Sequence, residues 1–228
     1  MTAAAFFDMD GTLLRGESQL SFLLWCLKTR RARLLRSSLV FFRYAAYVAG
    51  LTKDARRLRD AGFDLFQGTS ATELAEFGQQ FFDGCMSRRI RSFASKLLDS
   101  HRRNGHAVIL VTSALESLAM PLANFLGIEF VVATRLMEQG GVLTGARETP
   151  EPYGSGKRQL IEQLCVARGY APERCYAYGD HISDVELLSW VGHPVVVNPT
   201  QRLARVARER HWRILDLERG IPRELIDW

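Results

Sequence analysis

The stretch Ala3 to Leu14, Ala-Ala-Ala-Phe-Phe-Asp-Met-Asp-Gly-Thr-Leu-Leu, constrains this chain more than any other. Ala3 to Phe7 is apolar, with no charge, glycine or proline. That is the pattern of a strand covered on both faces, as in a parallel sheet. The run stops at Asp8, Asp10 comes two residues later, and Gly11 lets the chain turn sharply. Two carboxylates thus fall at the carboxyl end of a strand, where open α/β sheets bind ligands. Facing like charges are costly unless a cation or a proton neutralises them. Mg²⁺, a hard ion that takes carboxylate and carbonyl oxygens, fits that need. Alone, the stretch also reads as a surface Asp-x-Asp-Gly turn, so its meaning depends on the rest of the chain.

The next segment is helical. Glu17 to Thr29 place Leu20, Leu23, Leu24 and Leu27 on one face, with Ser18 as a candidate N-cap. Leu34 to Leu51 continue in helical register with Phe41, Phe42, Tyr44 and Tyr47. Arg36 and Arg43 bound an apolar stretch far shorter than the ~20 residues of a membrane span, so a buried or dimer-forming helix is the reading. Lys53 to Phe66 and Thr69 to Met86 give two more helices, with Ser70 and Glu73 as a capping box for the second. Residues 15–86 therefore form a helical cap inserted after the first strand, and 1–14 with 87–228 form an α/β core.

The strand–helix alternation then resumes. Ile90 to Arg103 read as a helix ended by Asn104-Gly105, and Ala107 to Val111 as a buried strand with Thr112-Ser113 after it. Leu115 to Leu126 form a helix with Pro121 near its first turn. Phe130 to Met137 and Val142 to Thr144 make a hairpin around Gln139-Gly140-Gly141. Helices are expected at Lys157 to Arg168, Val185 to Trp190 and Gln201 to Arg210, and strands at Cys175 to Tyr178 and Pro194 to Val197. This order predicts a doubly wound parallel sheet.

Phosphate-ester hydrolysis asks for a nucleophile, an acid for the leaving group and positive charge around the phosphoryl group. Asp8 can be the nucleophile and a metal ligand, and Asp10 the general acid and base, with its backbone carbonyl toward the metal. Thr112, after a buried strand, can donate its hydroxyl to phosphate, and the Ser113 amide at a helix start is a natural anion donor. Lys157 opens a helix after Gly154-Ser155-Gly156 and is one of only four lysines against 26 arginines. Gly179-Asp180-His181-Ile182-Ser183-Asp184 puts two more carboxylates beyond a strand, about one helical turn apart. Asp180 can complete the metal site, and Asp184 can hold Lys157 and waters from behind. Each piece alone has a plain alternative, such as an N-cap or a solvated lysine. Their joint order and strand-end placement do not.

Composition removes some classes. The net charge of +5 is spread along the chain and alternates with acids, without the basic, aromatic-interleaved block of a nucleic-acid binder. Cys26, Cys85, Cys165 and Cys175 form no Cys-x-x-Cys pair, so free thiols and a reducing cytoplasm are expected. No basic segment precedes an apolar run at the N-terminus, so no signal peptide is read.

Asp-Met-Asp-Gly-Thr, the later hydroxyl, the lysine and Gly-Asp with its trailing Asp together resemble the haloacid dehalogenase superfamily of phosphatases. The early helical insertion is similar to its phosphoserine phosphatase-like branch, as is the segment from Tyr176 to Ile214 with Val-Gly-His-Pro-Val-Val-Val-Asn-Pro. The resemblance implies Mg²⁺, an aspartyl-phosphate intermediate and a small phosphorylated substrate enclosed between core and cap. It places nucleophile, acid/base, phosphate hydroxyl, lysine and metal carboxylate on Asp8, Asp10, Thr112, Lys157 and Asp180, and the second acid of the last motif on Asp184. Glu17 stands where phosphoserine phosphatase holds the substrate amine, and Ser183 where it has an asparagine near the substrate. No arginine stands at the spacing for a substrate carboxylate: Gly62 is near that position and Arg59 is three residues early. Gly11 replaces a serine, and His181 a small residue. Histidinol phosphate, phosphoserine and phosphorylated amino alcohols are the candidate substrates. A phosphotransferase with an acceptor other than water is the alternative, and a non-catalytic interaction module using the apolar cap is a third.

Overall fold

The apolar run at the N-terminus is strand β1 (Ala4–Phe7), with all four residues buried. Its side chains alternate between two cores: Ala4 and Phe6 join one, Ala5 and Phe7 the other. A strand buried on both faces has to lie inside a sheet with helices on each side. The computed structural model describes residues 3–29 and 63–216 and has that arrangement.

Beyond β1 the described elements are α1 (Ser18–Lys28), α2 (Ala71–Phe81), α3 (Ala94–Arg103), β2 (Ala107–Leu115) and α4 (Glu116–Leu126). Then come β3 (Phe130–Thr134), β4 (Leu136–Gln139), β5 (Val142–Arg147) and α5 (Ser155–Arg168). The chain closes with β6 (Tyr176–Gly179), α6 (Val185–Leu188), β7 (His193–Val197), α7 (Gln201–Glu209) and β8 (Arg213–Leu215). Six strands form one sheet in the order β3-β2-β1-β6-β7-β8, with every pair parallel. α3 and α4 pack on one face, and α5, α6 and α7 on the other. The chain winds outward from β1 in one direction and later from β6 in the other. The boundary between β1 and β6 is therefore the switch point, where a crevice opens at the carboxyl ends of the strands. Phe7 stacks on Tyr178 with ring centroids 4.4 Å apart, and the Tyr178 hydroxyl shares a 2.8 Å hydrogen bond with His101 Nε2 of α3. Burial, with His106 alongside, pushes the His101 imidazole down to about 3. A neutral ring thus braces the two central strands just before Asp8 and Asp180.

Several expectations are corrected. β2 runs to Leu115, past the predicted end at Val111, because Leu115 pairs with Thr134 after a register shift. The expected strand Phe130 to Met137 is two: β3 joins the large sheet, while β4 turns away to pair with β5 as a separate hairpin. α3 starts at Ala94, not Ile90, because Ile90 bridges Leu14 in the segment leading back to the core. β8 was not foreseen; only three residues long, it is defined by its pairing with β7. The helix from Thr69 is regular only to Phe81, and then widens into a π turn over Phe82–Met86. That turn buries Phe82 and Met86, next to the buried Phe81 that ends α2. Ser70 caps α2, its hydroxyl accepting from the Glu73 amide at 3.1 Å; the return bond to the Glu73 side chain that would complete the expected capping box does not form. The aromatic helix expected over 34–51, most of that expected over 53–66, and Arg59 and Gly62 lie outside the described residues. Among the described residues, no helix is long and apolar enough to cross a membrane.

Pro121 sits in the interior of α4, not in its first turn. Without an N–H it cannot give the Ser117 carbonyl its i→i−4 hydrogen bond. α2 packs here through Gly78, where a Cβ would lie 1.9 Å from the Ser117 carbonyl oxygen. Gly78→Ala should therefore lower stability by roughly 1–3 kcal/mol, the cost of overpacking. Alanine in a helix ordinarily stabilises relative to glycine by up to ~1 kcal/mol. A chemical-denaturation midpoint that stays put or rises would show that the two helices separate freely.

Candidate active site

β1 ends at Phe7, and Asp8 donates its amide to the Tyr178 carbonyl of β6 at 2.9 Å. This fixes Asp8 at the switch point. Gly11 then turns the chain with φ +78°. A Cβ on Gly11 would sit 2.1 Å from Asp180 Oδ2, so only glycine lets the first loop close against the carboxylate just past β6. The backbone of Asp180 is tied in turn, its carbonyl accepting from the Thr200 amide at 2.9 Å.

Lys157, the third residue of α5, is buried and points its ammonium between two acids. Its Nζ donates to Asp8 Oδ1 at 2.7 Å and to Asp184 Oδ1 at 2.6 Å. Asp184 is buried as well, and its other oxygen accepts from the His181 amide at 3.2 Å. Burial works against the charge on Lys157, but Asp184 and Asp8 outweigh it and hold the ammonium above the usual lysine range. Burial pushes Asp8 up to about 7, with Lys157 opposing and Asp184 adding to the rise. Asp180 is pushed up to about 8 by burial, then by the charges of Asp8, Asp184 and Glu17.

Asp8, Asp180 and Asp184 each offer an oxygen, and these oxygens lie within 4.8 Å of one another. With all groups ionised, three carboxylates facing one ammonium leave two negative charges uncompensated. All-oxygen donors with that residual charge fit a hard divalent cation such as Mg²⁺.

Asp10 is placed differently from a side chain leaning freely over the site. Its two oxygens accept from the Ser18 amide at 2.9 Å and the Ser18 hydroxyl at 2.8 Å. Burial pushes Asp10 up to about 8, Glu17 adds to the rise, and the hydrogen bonds from Ser18 oppose it. Ser18 is thus no N-cap. It is the first residue of α1, and Asp10 accepts from it across eight residues. Glu17, exposed and directly before Ser18, adds its negative charge to the rise of both Asp10 and Asp180.

Thr112 lies at the same sheet end, two residues past the pairing of Leu110 with Phe7. It is buried, and its hydroxyl accepts from the Ala114 amide at 3.1 Å. Ser113 does not start a helix. It belongs to the extended end of β2, its carbonyl accepts from the Thr134 hydroxyl at 2.8 Å, and α4 begins only at Glu116. Ser183 is half-buried beside the acids, with its hydroxyl 3.0 Å from His181 Nδ1. Sequence reasoning missed Ser18 as the partner of Asp10, and also Arg91, whose Nη2 donates to the Gly11 carbonyl at 3.0 Å. Arg91 reaches Gly11 across the return of a long insertion, and Ser18 reaches Asp10 when the loop between them folds back; no local pattern signals either contact.

The chain matches the haloacid dehalogenase-like hydrolase family over residues 5–189. It is 33% identical over 220 residues to a phosphoserine phosphatase of Mycobacterium tuberculosis, covering 95% of this chain and 71% of that protein. It is 30% identical over 154 residues to a histidinol-phosphatase of Neisseria meningitidis, covering 65% of this chain and 69% of that protein. The crystal structure of a protein of unknown function from Bordetella pertussis superposes with a TM-score of 0.82 at 26% identity, covering 95% of this chain and all of that one. With two motifs interlocked around Lys157 and a match over most of its length, the chain belongs to the haloacid dehalogenase-like hydrolases and is a phosphatase of that family.

Proposed function

We propose that the protein hydrolyses a small phosphorylated metabolite through an aspartyl-phosphate on Asp8, with Mg²⁺ as cofactor. The observation that carries this reading is the buried Lys157 ammonium shared by Asp8 and Asp184 at the switch point, with Asp180 alongside. Asp8 attacks phosphorus while the ester P–O bond breaks, giving an acyl phosphate. Asp10, protonated at neutral pH because it is pushed up to about 8, donates that proton to the departing alcohol. As a carboxylate it then takes a proton from the water that attacks phosphorus, releasing inorganic phosphate and freeing Asp8. Lys157, the Thr112 hydroxyl and the Ser113 amide stabilise the phosphoryl oxygens. Asp8, Asp180 and the Asp10 backbone carbonyl would hold Mg²⁺, which supplies charge neutralisation at the phosphoryl oxygens. Asp184 keeps Lys157 in place.

For the substrate, Glu17 is the informative residue. Its carboxylate adds its negative charge to the rise of Asp10 and Asp180, and phosphoserine and histidinol phosphate, the substrates named for two relatives, both carry an ammonium group. Phosphorylated amines of this kind, including amino alcohols, are the substrate class proposed here, with Ser183 near the same end.

Asp8→Asn keeps the size of the side chain and removes the nucleophile. It should reduce turnover of p-nitrophenyl phosphate to a trace, and substantial residual turnover would refute the covalent route.

The acids also give a metal test. Asp8, Asp10 and Asp180 have folded values of about 7, 8 and 8 against an ordinary 3.8. Such groups bind more protons folded than unfolded, so without a cation they cost stability as pH rises from about 4 through 8. A divalent cation would take the place of the protons on Asp8 and Asp180, whose carboxylates would hold it. Mg²⁺ at ~100 times its Kd adds about 2.7 kcal/mol, about 5–10 °C in Tm for a chain of this size. The rise should be largest near pH 8 and nearly vanish near pH 5. An identical Tm in Mg²⁺ and in EDTA at pH 8 would count against the site.

Glu17→Gln should weaken binding of amine-bearing phosphates by roughly 1.5–3 kcal/mol, the range for a charge-assisted hydrogen bond. It should leave p-nitrophenyl phosphate nearly untouched. An equal loss on both would assign Glu17 a structural role instead.

A further inference from the structure

The chain leaves the core after Leu14 and returns at Ile90, and the two crossings are joined. Leu14 bridges Ile90, the Arg15 amide donates to the Arg89 carbonyl at 2.9 Å, and the Arg91 amide donates to the Leu13 carbonyl at 3.0 Å. On the return crossing, the guanidinium of Arg89 grips the outgoing one. Its Nε donates to the Arg15 carbonyl at 2.8 Å, Nη2 to the Glu17 carbonyl at 3.1 Å, and Nη1 to the Ser21 hydroxyl at 2.9 Å. The Ser21 hydroxyl donates to the same Glu17 carbonyl at 2.6 Å. Gly16, between the two gripped carbonyls, has φ +74°, and a Cβ there would lie 2.8 Å from Arg89 Nη2. The loop is therefore shaped around the arginine fork.

This matters because of what the gripped loop carries. Ser18 comes directly after Glu17, and its amide and hydroxyl hold the two oxygens of Asp10. The position of the Asp10 carboxyl is thus set by where residues 15–18 lie, and Arg89 fixes them from outside the crevice. Arg89 touches neither Asp8 nor Asp10 in any of these contacts. Planar, multidentate fixing of backbone carbonyls is something lysine does not reproduce.

We propose that Arg89 is a positioning residue for the acid/base step, acting through the loop 15–18 on Asp10. The proposal rests on the phosphatase reading given above, in which Asp10 protonates the leaving group. A poor leaving group needs that proton and a good one does not. Arg89→Ala should therefore lower kcat/KM on an alkyl phosphomonoester by about tenfold or more, within the range a general acid supplies. On p-nitrophenyl phosphate, where the acid contributes little, the loss should stay below about threefold. Arg89→Lys should recover only part of the alkyl-ester loss, while Arg88→Ala, at the exposed neighbouring position, should behave as wild type. Tm values check folding, and Arg89→Gln, which keeps a donor, serves if the alanine variant does not fold. Equal losses on both esters, or none on either, in a protein whose turnover is abolished by Asp8→Asn would overturn the role of Arg89 alone. Turnover that survives Asp8→Asn would overturn the covalent mechanism on which the role of Asp10 rests, and the role of Arg89 with it.

Discussion

A lysine ammonium buried between two carboxylates is the interaction on which the arrangement of this molecule depends. Lys157 meets Asp8 and Asp184 at 2.7 and 2.6 Å, and the three residues come from α5, the end of β1 and the turn before α6. Taking such charges out of water costs several kcal/mol per ion unless they are paired and hydrogen bonded. Here each is: the ammonium has both acids, Asp184 also has the His181 amide, and Asp8 is anchored through its own amide to β6. Removing Lys157 would leave two buried carboxylates without their shared counter-charge. That is why three distant segments are held to one geometry, and why the crevice stays strongly polar inside an otherwise apolar sheet.

The second requirement is that a long excursion must not disturb the central strand. β1 and β2 are hydrogen-bonded neighbours, Ala4 opposite Ala107, although about a hundred residues separate them. Loop closure costs grow only logarithmically with length, so an insertion of this size is tolerable if its two ends are pinned together. The backbone pairing of Leu13–Arg15 with Arg89–Arg91 does this. It also lets the insertion deliver Glu17 and Ser18 to the crevice without lengthening the path from Asp8.

The parts of the fold that were legible in sequence are those dictated by short-range chemistry. An apolar run ending in a carboxylate marks β1, and Gly-Asp after Cys175 to Tyr178 marks the end of β6. The alternation of strands and helices marks the doubly wound sheet. What was not legible depends on partners far along the chain. Nothing in Phe130 to Met137 says that Thr134 belongs to the large sheet and Leu136 to a hairpin; pairing with β2 and β5 decides it. Thr112-Ser113 looked like a helix start because hydroxyl residues favour N-caps, yet pairing with β3 carries β2 on to Leu115. Ser18 sits where an N-cap should, and the real acceptor is Asp10, outside the helix. That Asp8, Lys157, Asp180 and Asp184 come together was readable from spacing and order. The orientation of Asp10 was not, because it is set by a contact made only when the loop folds back.

The glycines of the two acidic motifs carry this point further. Read locally, Gly11 and Gly179 are a turn former and a small residue at a strand end. In the structure each is also a space reserved for an acid. A Cβ on Gly11 would collide with Asp180, and a Cβ on Gly179 would lie 2.7 Å from the Asp184 carboxylate. The first motif therefore contains the room that the second motif's leading carboxylate occupies, and the second contains the room for its own trailing one. Burial raises Asp8 and Asp180 by crowding them into this space. The same crowding concentrates the negative charge that a divalent cation would relieve. Two short motifs separated by most of the chain are thus one object sterically and electrostatically. For this reason their joint presence and order mean far more than either motif alone.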